Sequence, residues 1–304
     1  MSFIQDIPLL GPIGKVRHPL FERQALQVDI LRNDLCHPSI NGNKWLKLRL
    51  NLQHAISIGA DTIVSFGGAY SNHIHALAAA GHCFGLKTVG IIRGEYDPQN
   101  PTLQQAKAWG MHLHFVSRSD YRQRYQPEYI AQWQQRYANS YVVPEGGSNA
   151  LAVKSVAQAF ASLTQHYDRI VVAAGTGATA AGIALGAVDH AAHLDVVSVL
   201  KGNQQLCNDI IGYIDGQCAI NWKLIEDAHW GGYAKTPPEL IRQLRLFEAQ
   251  TAIPLEPVYT AKMVSYSLNQ AQKASWSSGE RVLLVHTGGL QGYMGFRQRG
   301  ILPR

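Results

Sequence analysis

Three times in this chain an apolar run of strand length ends in a glycine-containing turn and gives way to a helical pattern. The segments are Thr62-Ile63-Val64-Ser65-Phe66-Gly67-Gly68-Ala69-Tyr70-Ser71-Asn72-His73, Arg169-Ile170-Val171-Val172-Ala173-Ala174-Gly175-Thr176-Gly177-Ala178-Thr179 and Val282-Leu283-Leu284-Val285-His286-Thr287-Gly288-Gly289. That order is how open α/β sheets build ligand sites at the carboxyl ends of their strands. It excludes an all-helical bundle and an all-antiparallel sandwich. Further β-branched runs predict strands over 62–66, 88–92, 112–116, 141–143, 169–173, 195–200 and 281–286. Amphipathic stretches predict helices starting near Asn43, Ser71, Leu103, Pro127, Ala150, Gly177, Asn203, Pro238 and Val258. Such alternation predicts mainly parallel sheets covered by helices.

A fourth stretch carries chemistry. Asn41-Gly42-Asn43-Lys44-Trp45-Leu46-Lys47-Leu48 places two lysines three residues apart, after a glycine turn and at the start of an apolar-periodic segment. A helix N-terminus collects unpaired amides and partial positive charge. An ammonium is disfavoured there and an anion is favoured. The position suits an amine that condenses with a phosphate-bearing aldehyde. Two solvated helix lysines would give the same pattern.

With these segments stand Leu31-Arg32-Asn33-Asp34-Leu35, Pro144-Glu145-Gly146-Gly147-Ser148-Asn149 and Pro257-Val258-Tyr259-Thr260. Taken together and in this order, over about residues 19–295, they resemble the pyridoxal-phosphate enzymes of the tryptophan-synthase-β type (fold type II). Within that type the chain is similar to the branch of 1-aminocyclopropane-1-carboxylate deaminase and D-cysteine desulfhydrase. The resemblance implies two open, mainly parallel twisted sheets covered by helices. A small domain (46–151) is inserted into a large cofactor-binding domain (1–45 and 152–304), with pyridoxal 5'-phosphate between them. A homodimer is also implied.

By the same resemblance Lys44 forms the Schiff base and moves protons, and Lys47 assists the phosphate. Gly175, Thr176, Gly177, Ala178 and Thr179 form the phosphate loop. Its glycines let the backbone turn, its threonines offer hydroxyls, and the following helix offers its amide-rich end. Ser71, Asn72 and His73 bind the substrate carboxylate, Asn72 also meeting the ring hydroxyl and Ser71 a proton. Tyr259 reaches the substrate, Thr260 the ring nitrogen, and Thr287 the substrate. Plain N-capping by Ser71 and Asn72 is the competing reading of that turn.

Other readings are weaker. Gly175-x-Gly177-x-x-Ala180 loosely matches a dinucleotide fingerprint, but the next predicted strand ends in Lys201-Gly202 rather than an acid. His73 and His75 lie two apart, on different faces of a helix, which speaks against a metal. Cys36, Cys83, Cys207 and Cys218 have no CxxC spacing, so no zinc site or disulfide framework is expected and a reducing, cytoplasmic location fits. The N-terminal residues lack a basic region before an apolar one, and no run approaches the roughly 20 apolar residues of a membrane span. A scattered net charge of +6 argues against nucleic acid and for small anionic substrates. The loop over 228–238, rich in aromatics and glycines, is expected to be functional.

The two related activities part at Thr260. The deaminase pattern has Glu there and His-Leu-Gly-Gly later. This chain has Thr260 and His286-Thr287-Gly288-Gly289, as on the desulfhydrase side. A carboxylate keeps the pyridine nitrogen protonated, whereas a hydroxyl leaves it nearer neutral. The chain departs from both at Asn41-Gly42, Leu46 and Asn33-Asp34. The expected function is a lyase or deaminase of a small amino acid, D-cysteine desulfhydrase-like, giving pyruvate, ammonia and sulfide by β-elimination. The alternatives are cyclopropane-carboxylate deamination and, in another class, a non-catalytic pyridoxal-phosphate-binding protein.

Overall fold

The computed structural model describes residues 3–202, 204–298 and 300–302. Among these residues ten strands form two sheets. They are β1 (Ile13–Lys15), β2 (Gln27–Arg32), β3 (Thr62–Gly68), β4 (Lys87–Arg93), β5 (His112–Val116), β6 (Ser140–Val143), β7 (Tyr167–Ala174), β8 (Ala191–Ser198), β9 (Asn221–Ile225) and β10 (Arg281–His286). One sheet has six strands in the order β1-β2-β10-β7-β8-β9, and the other has four in the order β5-β4-β3-β6. All pairings are parallel except β1 with β2.

The apolar runs become strands because helices cover both faces, which removes the need for alternation. Every residue of β3 except Gly68 is buried, and so are the last five of β7. The largest apolar cluster joins the sheets: Ile63 and Ile92 share it with Ile170, Val172 and Leu194. Trp45, Leu46 and Leu48 of the Gly42–Ser57 helix, with Val153 and Val156 of the Ala150–Phe160 helix, lie in the same cluster. Separate clusters back the outer faces, one around Phe247 and Met263, the other around Phe66, Tyr121 and Trp133. The Gly42–Ser57 helix is thus wedged between the sheets, and its first turn meets the carboxyl ends of both.

β1, β2 and β9 lie outside the expected strands. β1 has three residues and β9 is an edge with half-buried and exposed residues. β2 carries Asp29, satisfied by the Tyr167 hydroxyl at 3.1 Å. The strand expected over 195–200 runs earlier, because Ala191 pairs with Tyr167 and His193 with Asn221. The helix expected near Asn203 is described from Gln204, Asn203 itself lying outside the described residues. No helix among the described residues is long and apolar enough to cross a membrane.

Candidate active site

The Gly42–Ser57 helix begins where backbone meets backbone. A Cβ on Gly42 would lie 2.1 Å from the Thr287 carbonyl oxygen, and the Asn43 amide donates to that oxygen at 3.3 Å. Only glycine permits this approach. It locks the first turn of the helix to the loop after β10. No acidic residue sits in that turn, so two lysines share the positive end of a helix without an internal counter-charge.

Lys44 is half-buried. Its Nζ donates to Asn43 Oδ1 at 3.0 Å and lies 6.0 Å from the centre of the Tyr259 ring. Burial pulls its pKa down to about 8, with the Glu256 carboxylate opposing. Lys47 is 1% exposed, which removes the solvated reading. Its Nζ donates to Ser148 Oγ at 2.6 Å and Thr176 Oγ1 at 3.2 Å. Burial, then the Lys44 charge, hold its pKa well below the ordinary value. Among the described residues neither lysine has a carboxylate within ion-pair distance. Lys47 has three donors and two hydroxyl partners, an arrangement that an anion would complete.

The loop after β7 supplies the rest of that cradle. Thr176 Oγ1 accepts from Ser148 Oγ at 2.7 Å, and Thr179 Oγ1 accepts from Asn43 Nδ2 at 3.0 Å. Gly177 turns with φ 77°, a conformation suited to glycine, and the Ala178–Gly186 helix follows. The loop of Gly175, Thr176, Gly177, Ala178 and Thr179 therefore brings Thr176 to Lys47 and Thr179 to Asn43 at a helix N-terminus. Ser148 is a site residue that sequence reasoning did not single out, although its segment, 144–149, was in view.

Ser71 caps the Asn72–Phe84 helix, its Oγ accepting from the Ile74 amide at 3.3 Å. Asn72 Oδ1 accepts from Gln291 Nε2 at 2.8 Å, and its Nδ2 faces Gly289, 2.8 Å from where a Cβ would stand. This turn therefore abuts the loop beyond Thr287. The His73 ring points elsewhere. It is buried, with Nε2 2.8 Å from Ser65 Oγ, and that hydroxyl donates to the Val143 carbonyl at 2.7 Å. Ser65 must then accept, so His73 donates through Nε2 and Nδ1 is left a lone-pair nitrogen without a partner among the described residues. Burial and the Lys47 and Lys44 charges keep the ring neutral. It packs against Gly147, behind the anion cradle, so only its backbone remains at the helix terminus. His75 packs edge-on to Trp109.

Tyr259 borders Lys44 from the opposite wall. A Cβ on Gly175 would be 3.3 Å from its hydroxyl. Burial, Tyr233 and Glu256 push its pKa well above the ordinary value, so it serves as a neutral hydroxyl. Thr260 is fully buried, and its Oγ1 donates to the Glu256 carbonyl at 3.0 Å and accepts from the Glu256 amide at 2.6 Å. Two further groups went unseen in the sequence. Glu256 is buried with its carboxylate on the amides of Val258 and Tyr259 at 2.6 and 2.7 Å, and burial raises its pKa to about 7. Tyr233, in the long loop at 228–238, stands edge-on to Tyr259 at 6.3 Å. Buried Lys262 ties that loop down by donating to the Gly232 carbonyl at 2.8 Å. The aromatic loop was a signal for Tyr233, whereas Glu256 gave none. No group of three or more His, Cys, Asp or Glu able to hold a metal ion occurs among the described residues.

One consequence needs no ligand. With burial lowering the Lys44 pKa to about 8, about half of it is expected to be free amine at pH 8, against under about 1% for an ordinary lysine. Trace acetylation followed by peptide mass spectrometry should modify Lys44 with a midpoint near pH 8. A midpoint above about 10 would show that burial does not tune it.

Comparison with known proteins agrees with this arrangement. Residues 14–288 match the family described as pyridoxal-phosphate dependent enzyme. A putative 1-aminocyclopropane-1-carboxylate deaminase of Pyrococcus horikoshii is 28% identical, covering 95% of this chain and 92% of that one. The bifunctional D-cysteine desulfhydrase/1-aminocyclopropane-1-carboxylate deaminase of Arabidopsis thaliana is 29% identical over 86% of this chain and 72% of its own. The D-cysteine desulfhydrase of Serratia proteamaculans is 25% identical over 86% of each. A crystal structure of a 1-aminocyclopropane-1-carboxylate deaminase homologue superposes with a TM-score of 0.82 at 27% identity, covering 98% of this chain and 95% of that one.

Proposed function

The chain belongs to the pyridoxal-phosphate dependent enzymes, and on that premise we propose that it is a β-eliminating lyase of the D-cysteine desulfhydrase kind. The observation that carries this reading is position 260. A buried hydroxyl stands there, its O–H given to the Glu256 carbonyl, so it has no charge with which to hold a proton on a pyridine nitrogen.

The residues present fit the cofactor. Lys47 is a buried amine that, when protonated, has one donor to spare, and the loop with Gly175 and Gly177 ends at helix amides. When bound, pyridoxal phosphate supplies an electron sink for the pair released at the substrate Cα. Lys44 would attach it, and the low pKa of that amine equips it to take the Cα proton. Lys47, Ser148 and Thr176, with the Gly177, Ala178 and Thr179 backbone, would hold the phosphate. The start of the Asn72–Phe84 helix would take the substrate carboxylate through the Ser71, Asn72 and His73 segment. Asn72 would also face the ring hydroxyl, and Ser71 a proton. Tyr259, with Tyr233 on it, would orient the substrate and exclude water, and Thr287 would border it. Thr260 would stand at the ring nitrogen. Loss of the proton and cleavage of the Cβ–S bond, whose electron pair leaves on sulfur as sulfide, would give 2-aminoacrylate, which water converts to pyruvate and ammonia.

A second reading, deamination of 1-aminocyclopropane-1-carboxylate, is favoured by buried Glu256, a carboxylate in the field of Lys44. Parallel assays for pyruvate from D-cysteine and 2-oxobutanoate from the cyclopropane acid discriminate between the two. Pyruvate is expected to form faster. The reverse order would establish the deaminase, and silence on every amino acid with the cofactor bound would favour a binding protein. Thr260→Glu imports a charge at the ring and is expected to slow elimination and raise abortive transamination. If neither rate moves, Thr260 is not the ring partner.

The same reading takes residues 46–151 as an inserted domain. It gives the protein a homodimeric, cytoplasmic existence with a small amino acid as substrate, away from nucleic acid and membrane. Four free cysteines are in keeping with a reducing compartment.

A further inference from the structure

Arg93 ends β4 and pairs with Gly68 in the register of the four-stranded sheet. Its exposed side chain rises from the carboxyl edge, where α/β folds take ligands. Successive β3 residues face opposite sides. Gly67 faces Ser71 and Ile74, while Gly68 faces Arg93, whose Nη2 is 3.8 Å from where a Cβ would stand. A carboxylate held at Ser71 therefore leaves Arg93 for the other end of the molecule.

The guanidinium is mounted but not neutralised. It lies 5.7 Å from the centre of the Tyr121 ring. Arg124 covers the same ring at 4.8 Å and Tyr125 at 4.3 Å, but Arg124 is paired with Glu145 at 2.6 Å. Glu145 also accepts from the hydroxyls of Tyr121 at 2.7 Å and Tyr125 at 3.1 Å, so three of its roughly four acceptor sites are taken by neighbours other than Arg93. Among the described residues neither an ion pair nor a hydrogen bond holds Arg93. The Ser71 amide donates to the Gly68 carbonyl at 3.0 Å, so Arg93, against Gly68, stands beside the turn that leads into the Asn72–Phe84 helix. Tyr125, about half exposed at 55%, lies on the far side of Arg124, whose guanidinium is 4.3 Å from the Tyr125 ring. A guanidinium resting on a ring binds a carboxylate with little further ordering.

We propose that Arg93 is a specificity residue that binds a carboxylate at the far end of the substrate, so that the preferred substrates are β-substituted alanines with an anionic leaving group. This rests on the β-elimination reading. For S-carboxymethylcysteine the Cα proton passes to Lys44 and the Cβ–S bond breaks with its electron pair on sulfur. Mercaptoacetate leaves and takes up a proton, and 2-aminoacrylate is hydrolysed to pyruvate and ammonia.

The test compares S-carboxymethyl- with S-carbamoylmethylcysteine, equal in shape and different in charge, in both enantiomers with the holoenzyme. Wild type is expected to favour the carboxylate by about tenfold to a hundredfold in kcat/KM. Arg93→Gln should bring the ratio near one, and Arg93→Lys should restore part of it. Calorimetry with 2-aminoadipate, which has the same length and no leaving group, reads binding without turnover. Its Kd should rise at least about tenfold in Arg93→Gln. Equal Kd values in wild type and Arg93→Gln, or no charge preference in wild type, would overturn the assignment. Loss of 2-aminoadipate binding in Arg93→Gln with no elimination from any thioether would support Arg93 as the anion site and defeat the β-elimination reading.

Discussion

Replacing Lys44 by alanine is expected to abolish turnover, by at least about a thousandfold, in a protein that stays folded. The loss follows from one amine serving both to hold the cofactor and to move the substrate proton. No neighbour can substitute, since Lys47 is committed to Ser148 Oγ and Thr176 Oγ1 at 2.6 and 3.2 Å. The fold should not suffer. The substitution removes a cation from the positive end of a helix and introduces the best helix former. Together these should stabilise the apoprotein by about 1 kcal/mol, roughly 2 °C in Tm. Borohydride fixes the cofactor to the lysine it occupies, and peptide mapping should find the label on Lys44. A label on Lys47, or an unfolded Lys44→Ala protein, would refute the assignment.

Gly177→Asp is expected to weaken cofactor retention by more than about a hundredfold. A carboxylate about 5 Å from a phosphate, at an effective dielectric near 20, costs about 3 kcal/mol per unit charge on the phosphate. Forcing a side chain to φ 77° adds about 1 kcal/mol, and a Cβ there would also press Ile210 Cγ1 at 3.1 Å. Gly177→Ala carries the strain without the charge and separates the two. The aspartate should not unfold the apoprotein, because a helix N-terminus accepts a negative charge. The check is equilibrium titration of the apoproteins with pyridoxal phosphate, followed by absorbance. Affinity in Gly177→Asp equal to that in Gly177→Ala would show that the phosphate lies elsewhere.

Much of this could be read without coordinates. β3, β4, β7 and β10 stood out because parallel strands buried on both faces need unbroken apolar runs, and the part-buried edges β5 and β6 stood out by their β-branched and aromatic residues. β1, β2 and β9 did not, since Asp29 in β2 is tolerable only because Tyr167, far along the chain, reaches it. Asn43-Lys44, the residues 175–179 and Ser71-Asn72 were legible as glycine turns leading into helices. The direction of the His73 ring was not. Helical phase alone leaves it free to face the cleft or the sheet, and the Ser65 hydroxyl with the Val143 carbonyl behind it decides.

What the sequence determined by itself is local in origin. Strand runs, glycine turns and the first turns of helices depend on residues a few places apart, and so did the nomination of Lys44. What only the tertiary structure decided is environment. Lys47 became a buried amine because Ser148 and Thr176, 101 and 129 residues away, close over it. Glu256 and Tyr233 joined the site because the elements around β10 and the long loop fold against the first turn of the Lys44 helix. Among the described residues Arg93 has no carboxylate partner, since Glu145 faces Arg124 and two tyrosines. Desolvation and charge pairing act through space between distant segments, so no window of sequence contains them.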